Sequence, residues 1–502
     1  MEVNMQTKAE ILKLNQSSYH EAAEDFTLPD YLPEIRRIVS CTGAVLPESR
    51  YLDRGEIVLS GLAVATVYYI GDDGALCAFP QSSEYSVRLP MTGSDTSGLS
   101  AEGMVVKTSL ESVSCRATGP RRLTLTYKLR SSVFASRCDE LNFTLESSAG
   151  GECNVSDELS LEKRSLPFTY TSLGNAFSTG SVSGELHERE GTRIISCEGT
   201  AAVSSATLNG SEVTLKGEVF VNCLAVDAEG AYNTLRTKAP FEERLHVKDV
   251  SADCIKSYAA GRVRCASVKL HGGEGGVFPW EAEYDAEAVI LSDREGSLTD
   301  DVYSTAYLTN NTEDRAHIVK CLGTAASRLT VNGTKQIAPD GKEIVFFTAK
   351  AAADRTECTA EGKLVISGSC TVCAVLADGV DTVTEELTLP YRYECDAQKH
   401  EGSEVSVICD VCVIGTDGRV EGDRLSVNCE LAISAVALSC TEKTYVCKSV
   451  LCRDEPVGLD EAQIKLYFPE RGESEWDIGK RYHCPMKCIS RLDGERSVII
   501  TK

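Results

Sequence analysis

Three copies of one sequence pattern, each about 150 residues long, constrain this chain more than any other feature. An internal repeat of that size sets the number of folding units before any fold is assigned. In the first copy Ser40-Cys41-Thr42-Gly43 precedes a β-branched run at residues 57–70 with Gly61 at its centre. Anchor and run recur 156 positions later, as Ser196-Cys197-Glu198-Gly199 and residues 213–224 around Gly217. A third run, residues 364–375 around Gly368, follows the second by 151 positions. Its anchor reads as Cys321-Leu322-Gly323-Thr324, 124 positions after the second anchor, which implies an insertion of about 27 residues in this copy. Each run closes on an acidic glycine turn: Gly71-Asp72-Asp73-Gly74, Asp227-Ala228-Glu229-Gly230 and Asp378-Gly379. Such runs predict paired strands, with a bulge or close backbone approach at the central glycine and a hairpin turn after it. The expected fold is mainly β, with three tandem sandwich- or barrel-like domains at 1–150, 151–300 and 301–453 and a different module at 454–502.

At 502 residues the chain holds three or four domains of ordinary size. A formal charge of −24 argues against nucleic acid or an anionic membrane as a partner, since no basic patch offsets that field. The polar start and the lack of an 18-residue apolar run predict neither a signal peptide nor a transmembrane helix, hence a cytoplasmic protein. In that setting the 22 cysteines are expected as reduced thiols filling small core slots.

Along the chain, residues 7–24 have helical composition and predict an N-terminal helical arm ending before Pro29. Alternation at residues 123–130 predicts a half-buried strand, with counterparts at 280–284 and 425–431. Linkers are expected at 147–151 and 292–301, which are rich in small, polar and acidic residues. After about Asp454 the pattern predicts a β-α-α-β order: a strand at 463–468, an amphipathic helix at 473–482, a second helix at 485–492 and a closing strand at 497–500.

That module resembles a LysM domain. Gly472-Glu473-Ser474-Glu475-Trp476-Asp477-Ile478-Gly479-Lys480-Arg481-Tyr482 keeps the glycine, acidic residue, hydroxyl, Trp, Ile and Tyr of the family pattern. It departs at Glu475, where the family has an apolar residue, and in the short stretch Asp493-Gly494-Glu495-Arg496 before the last strand. The repeats resemble SPOCS domains of clostridial spore proteins, including a Leu-Pro after the turn at Leu89-Pro90 and Leu389-Pro390, with Ala239-Pro240 in the second copy. Three such units followed by LysM resemble the SipL-like family of spore coat morphogenesis proteins. The resemblance implies a scaffold in the mother-cell cytosol at the forespore surface, docking through its LysM domain on the coat basement-layer ATPase, stage IV sporulation protein A. Gly472, Glu473, Ser474, Glu475, Trp476, Arg491 and Arg496 are the expected partner-binding residues. Trp476 is expected chiefly as the anchor of a mini-core, and the polar positions around it as the steered contact surface.

Two other functions compete with this adaptor: a peptidoglycan-binding LysM protein, and a coat or filament subunit that self-associates by edge-strand pairing. The shortened last loop speaks against glycan binding. Cys370/Cys373 and Cys409/Cys412 have zinc-site spacing, but both pairs lie in predicted strands, where residues three apart face opposite ways, so core packing is the expected role. Cys484 and Cys488, beside His483, are expected as partly buried thiols. No histidine spacing, phosphate loop or nucleophile elbow supports a metal, a cofactor or an enzyme, and acidic pairs such as Glu21/Glu24 and Glu242/Glu243 are expected by chance among 75 Asp and Glu.

Overall fold

The computed structural model describes residues 7–91, 99, 103–148, 153–246, 254–272, 275–338, 342–378, 381–400, 404–457, 464–491 and 498–501. Eighteen strands form three sets of six. The first set is β1 (Thr7–Thr27), β2 (Ile35–Asp53), β3 (Glu56–Gly71), β4 (Leu76–Pro90), β5 (Met104–Gly119) and β6 (Arg122–Leu141). A short strand β7 (Thr144–Ser147) and helix α1 (Val155–Leu159) lead to the second set, β8 (Leu161–His187), β9 (Arg193–Asn209), β10 (Glu212–Val226), β11 (Tyr232–His246), β12 (Lys256–Leu270) and β13 (Val277–Ser304). The third is β14 (Tyr307–Gln336), β15 (Glu343–Cys358), β16 (Lys363–Asp378), β17 (Asp381–Asp396), β18 (Glu404–Glu421) and β19 (Arg424–Pro456). The chain is mainly β, as the sequence predicts.

Every set builds the same two antiparallel sheets. The third strand runs between the second and fourth, and the sixth between the first and fifth. Core residues of both sheets fill the space between them, Tyr69 and Tyr127 in the first unit, Val221 and Trp280 in the second, Ile366 and Leu431 in the third. At the central glycines the expected close approach is present. A Cβ on Gly61, Gly217 or Gly368 would stand 2.2, 2.1 or 2.0 Å from a carbonyl oxygen of the neighbouring strand, and the register slips beside each. An aromatic residue sits opposite every one: Tyr85, Phe241 and Tyr391.

The units pack around a common axis on which equivalent positions meet. Tyr68, Leu224 and Val375, each seven residues after its unit's central glycine, share one buried cluster. A second cluster joins Val105 to Phe134, Ala260 to Val289 and Ile408 to Val436, which are the same cross-strand pair in the three units. Two residues along the fifth strand from that pair, the equivalent positions carry Lys107, Arg262 and Asp410. Asp410 stands 3.6 Å from Lys107, 3.7 Å from Arg262 and 3.7 Å from Arg264. Arg262 also pairs with Glu287, which meets Arg50 at 3.0 Å. Three units of one strand order thus hold together through unlike charges at like positions. Among the described residues no helix is long and apolar enough to cross a membrane.

Several expectations change. Residues 7–24 form strand β1, not a helix, because they pair with β6 along its whole length. The third anchor is misplaced: Cys321-Leu322-Gly323-Thr324 lies in β14. Phe347 pairs with Ala374, six residues after the central glycine, as Cys41 pairs with Val67 and Cys197 with Cys223. Phe347-Thr348-Ala349 is therefore the true third anchor; it lacks the Ser-Cys-x-Gly motif and Phe347 stands 17 positions before its run, against 16 for Cys41 and Cys197 in the other two copies, so the insertion of about 27 residues is absent. Leu389-Pro390 matches Ala239-Pro240, not Leu89-Pro90, when counted from the residue opposite the central glycine. The linker expected at 292–301 is the interior of β13, where Asp293 is buried and accepts from Thr171. The unit boundaries follow: β13 runs past residue 300 to Ser304, and β19 past 453 to Pro456.

Candidate partner-binding module

The C-terminal module consists of β20 (Ile464–Tyr467), α2 (Glu475–Tyr482), a 3₁₀ turn (Met486–Cys488), β21 (Ile489–Arg491) and β22 (Val498–Thr501). The second helix expected at 485–492 is only this turn and a strand, because Pro485 caps the turn with extended backbone and Ile489 already pairs with β22. The strands align as β20-β22-β21.

Local sequence explains the helix. Ser474 accepts from the Asp477 amide while the Asp477 carboxylate accepts from the Ser474 amide, a reciprocal cap. Those hydrogen bonds hold the Asp477 carboxyl below its ordinary range. Acidic Glu475 and Asp477 stand at the positive end of α2 and Lys480 and Arg481 at the negative end. His483 ends the helix in the left-handed region, at φ 48°.

One face of α2 covers a small core of Ile478, Cys484 and Ile489, flanked by Tyr467, Tyr482 and Met486. Another face presses on the end of β13. Trp476 is 7% exposed; its Nε1 donates to Asp301 at 2.8 Å and its ring meets that of Tyr303 edge-on, 5.0 Å between centroids. Lys480 reaches both Asp301 oxygens at 2.8 Å. Tyr303 donates to the Cys484 carbonyl at 2.7 Å, and His483 Nδ1 lies 2.9 Å from the Ser304 carbonyl. A Cβ on Gly479 would stand 2.5 Å from the Tyr303 hydroxyl, so only glycine lets the helix come this close. Burial works against the Asp301 charge, but Lys480 and the Trp476 N–H outweigh it and hold the carboxyl below its usual range.

The expected site residues are therefore divided. Gly472 makes a turn at φ 91°. Glu473 points inward, accepting from Tyr467 at 2.9 Å and pairing with Arg481 at 2.9 Å, with its side chain 7% exposed. Ser474 is spent on the cap, and Trp476 on the joint with β13. Glu475 and Arg491 come together as a half-exposed ion pair at 2.8 Å. Arg496 lies outside the described residues. What the sequence reading missed is an apolar row on β20 and the residue after it: Ile464, Leu466 and Phe468 are 69, 54 and 65% exposed. Their period of two was the available signal.

The cysteine pairs behave as strand geometry requires. Cys370 and Cys409 face the core of the third unit, while Cys373 and Cys412 face away from it. Cys484 is buried in the module core and His483 turns to β13.

No family model, no curated protein and no solved structure matches this chain. The joint, the module and the three-unit body thus stand on their own geometry.

Proposed function

We propose that the chain is a non-enzymatic adaptor of endospore coat assembly, of the SipL kind, which binds the coat basement-layer ATPase, stage IV sporulation protein A, through its C-terminal LysM-like module. Its place of work would be the mother-cell cytosol at the forespore surface. The family part of this reading rests on the pattern of residues 472–482 and the SPOCS-like repeats. The binding part rests on one observation: a small module is clamped to a rigid body by its tryptophan and turns three large apolar side chains, Ile464, Leu466 and Phe468, to solvent. Exposed apolar surface beside a polar pair such as Glu475 and Arg491 suits a protein partner.

The test is capture of the purified ATPase by the full chain and by a Leu466→Asp, Phe468→Asp variant, with insoluble peptidoglycan as a parallel arm. The adaptor reading expects capture of the ATPase by the full chain and at least a tenfold loss in the variant. Retention on peptidoglycan with no capture of the ATPase would replace it with the wall-binding alternative.

A further inference from the structure

A cleft of about 240 Å³ opens between the first and third units, built from other strands than those that carry the C-terminal module. One wall is β1, β5 and β6 and the other is β15 and β18. Three cations line it, Lys107, Arg130 and Lys350, along with the hydroxyls of Ser17, Ser109, Ser132 and Ser406. In a chain of net charge −24 such a wall is unusual.

The charges in the cleft do not cancel. Asp410 is answered three times over, by Lys107, Arg262 and Arg264. Glu111 is the other acid of the lining, and its carboxylate is exposed to solvent. Lys350 donates to the backbone carbonyl of Glu111 and also feels that residue's carboxylate, and Lys107 donates to the Cys409 carbonyl beside its ion pair with Asp410, so the cation left without an acid is Arg130. Arg130 lies over the ring of Tyr19, 5.6 Å from its centroid. Its Nε is buried with no hydrogen-bond partner, and Arg130 makes no ion pair with a carboxylate among the described residues. Leaving a charged donor unmatched costs free energy, and an oxyanion is the natural partner of a guanidinium fork.

We propose that this cleft binds a small oxyanion of the phosphate or carboxylate class, with Arg130 as its principal donor. Lys350 supplies the second charge. Ser17 and Ser132, whose hydroxyls lie 2.8 Å apart, leave one O–H free for the anion. Binding would tie β6 of the first unit to β15 of the third and tighten the body. The site is independent of the adaptor reading, because it uses no residue of the C-terminal module.

Calorimetric titration of the whole chain with inorganic phosphate, at ionic strength fixed with chloride, tests this, with acetate as a second titrant. Saturable binding of phosphate and a raised unfolding temperature are expected, with affinity at least tenfold weaker in Arg130→Gln and in Lys350→Met. Acetate binding lost in the same variants would support the site and identify a carboxylate as its ligand. Far-UV circular dichroism verifies that each variant is folded. No binding of either titrant beyond chloride, or unchanged affinity in both folded variants, would overturn the proposal.

Discussion

Trp476 and Asp301, 175 residues apart in sequence, meet through a 2.8 Å hydrogen bond from the indole N–H to a carboxylate oxygen. The same carboxylate accepts from Lys480. One acid at the end of a long strand thus holds two residues of α2 at once, beside the Tyr303 and His483 contacts. The Trp476 ring lies between Tyr303 on one side and the Arg164 guanidinium, 5.4 Å from its centroid, on another. A module so held presents its outer strand in a defined direction, which a flexible tether would not.

Removing that acid should free the module. Asp301→Ala strips two contacts at once, the indole hydrogen bond to a charged acceptor, worth about 1.5–3 kcal/mol, and the half-exposed Lys480 ion pair, worth about 0–1 kcal/mol, and leaves the Trp476 N–H with nothing to donate to. The expected result is a red-shifted Trp476 emission and rapid proteolysis after Val457, with the body intact. Trp280, 1% exposed inside the second unit, supplies an internal reference that should not move. Asp301→Asn keeps an acceptor for the indole and should lie between the two.

This joint also marks where sequence reading stops. The repeat, the turns and the bulging glycines were legible because each depends on neighbours within one hairpin. Residues 7–24 misled because Ala9, Ile11 and Leu12 fit a helix as well as a strand, and only β6, more than a hundred residues on, decides between them. Cys321-Leu322-Gly323-Thr324 mimicked the anchor, while the true position had drifted to Phe347-Thr348-Ala349. For the site, the sequence could mark residues 472–476 as a motif. It could not show that Glu473 and Trp476 already had partners, because Asp301 is remote in sequence and sits in what reads as a linker.

The central glycines give a second prediction. At Gly217 an added Cβ would strike the Ala202 carbonyl at 2.1 Å and the Phe241 ring at 2.5 Å, so neither strand nor ring can yield cheaply. Gly217→Ala should cost about 1–3 kcal/mol from overpacking and lower the unfolding temperature. Gly272→Ala is the control: nothing lies within 4 Å of its Cβ, and little change is expected.

Asp410 contributes to acid sensitivity. Burial opposes its charge, but Lys107, Arg264 and Arg262 hold its carboxyl down at about 2. A carboxyl depressed in the folded state stabilises above its unfolded pKa, and that contribution is lost as pH falls through the folded value. The window is therefore roughly pH 4 to 2, and the contribution about 2 kcal/mol. Asp410→Asn should flatten acid unfolding in that window. It should also lower stability at neutral pH, because Lys107, Arg262 and Arg264 would then face one another without their shared acid.

Glu10 works in the opposite direction. It is 3% exposed, with its carboxyl accepting from Ser136 at 2.6 Å. Burial raises its pKa to about 7; the Ser136 hydrogen bond and Arg294 pull it down, and Asp139 adds to the rise. A carboxyl raised in the folded state favours folding fully below its unfolded pKa, and the advantage disappears as pH rises through the folded value. Between pH about 4.5 and 7 the folded chain should lose about 3 kcal/mol from this one group. Urea unfolding at pH 5 and pH 8 measures the loss directly, and Glu10→Gln, which cannot ionise, should remove most of the difference. Between them, Asp410 and Glu10 favour the folded state most near pH 4 to 5: below it the inter-unit acid protonates, and above it the buried one must ionise. A Glu10→Gln chain whose stability still fell steeply from pH 5 to 8 would assign that slope to other groups.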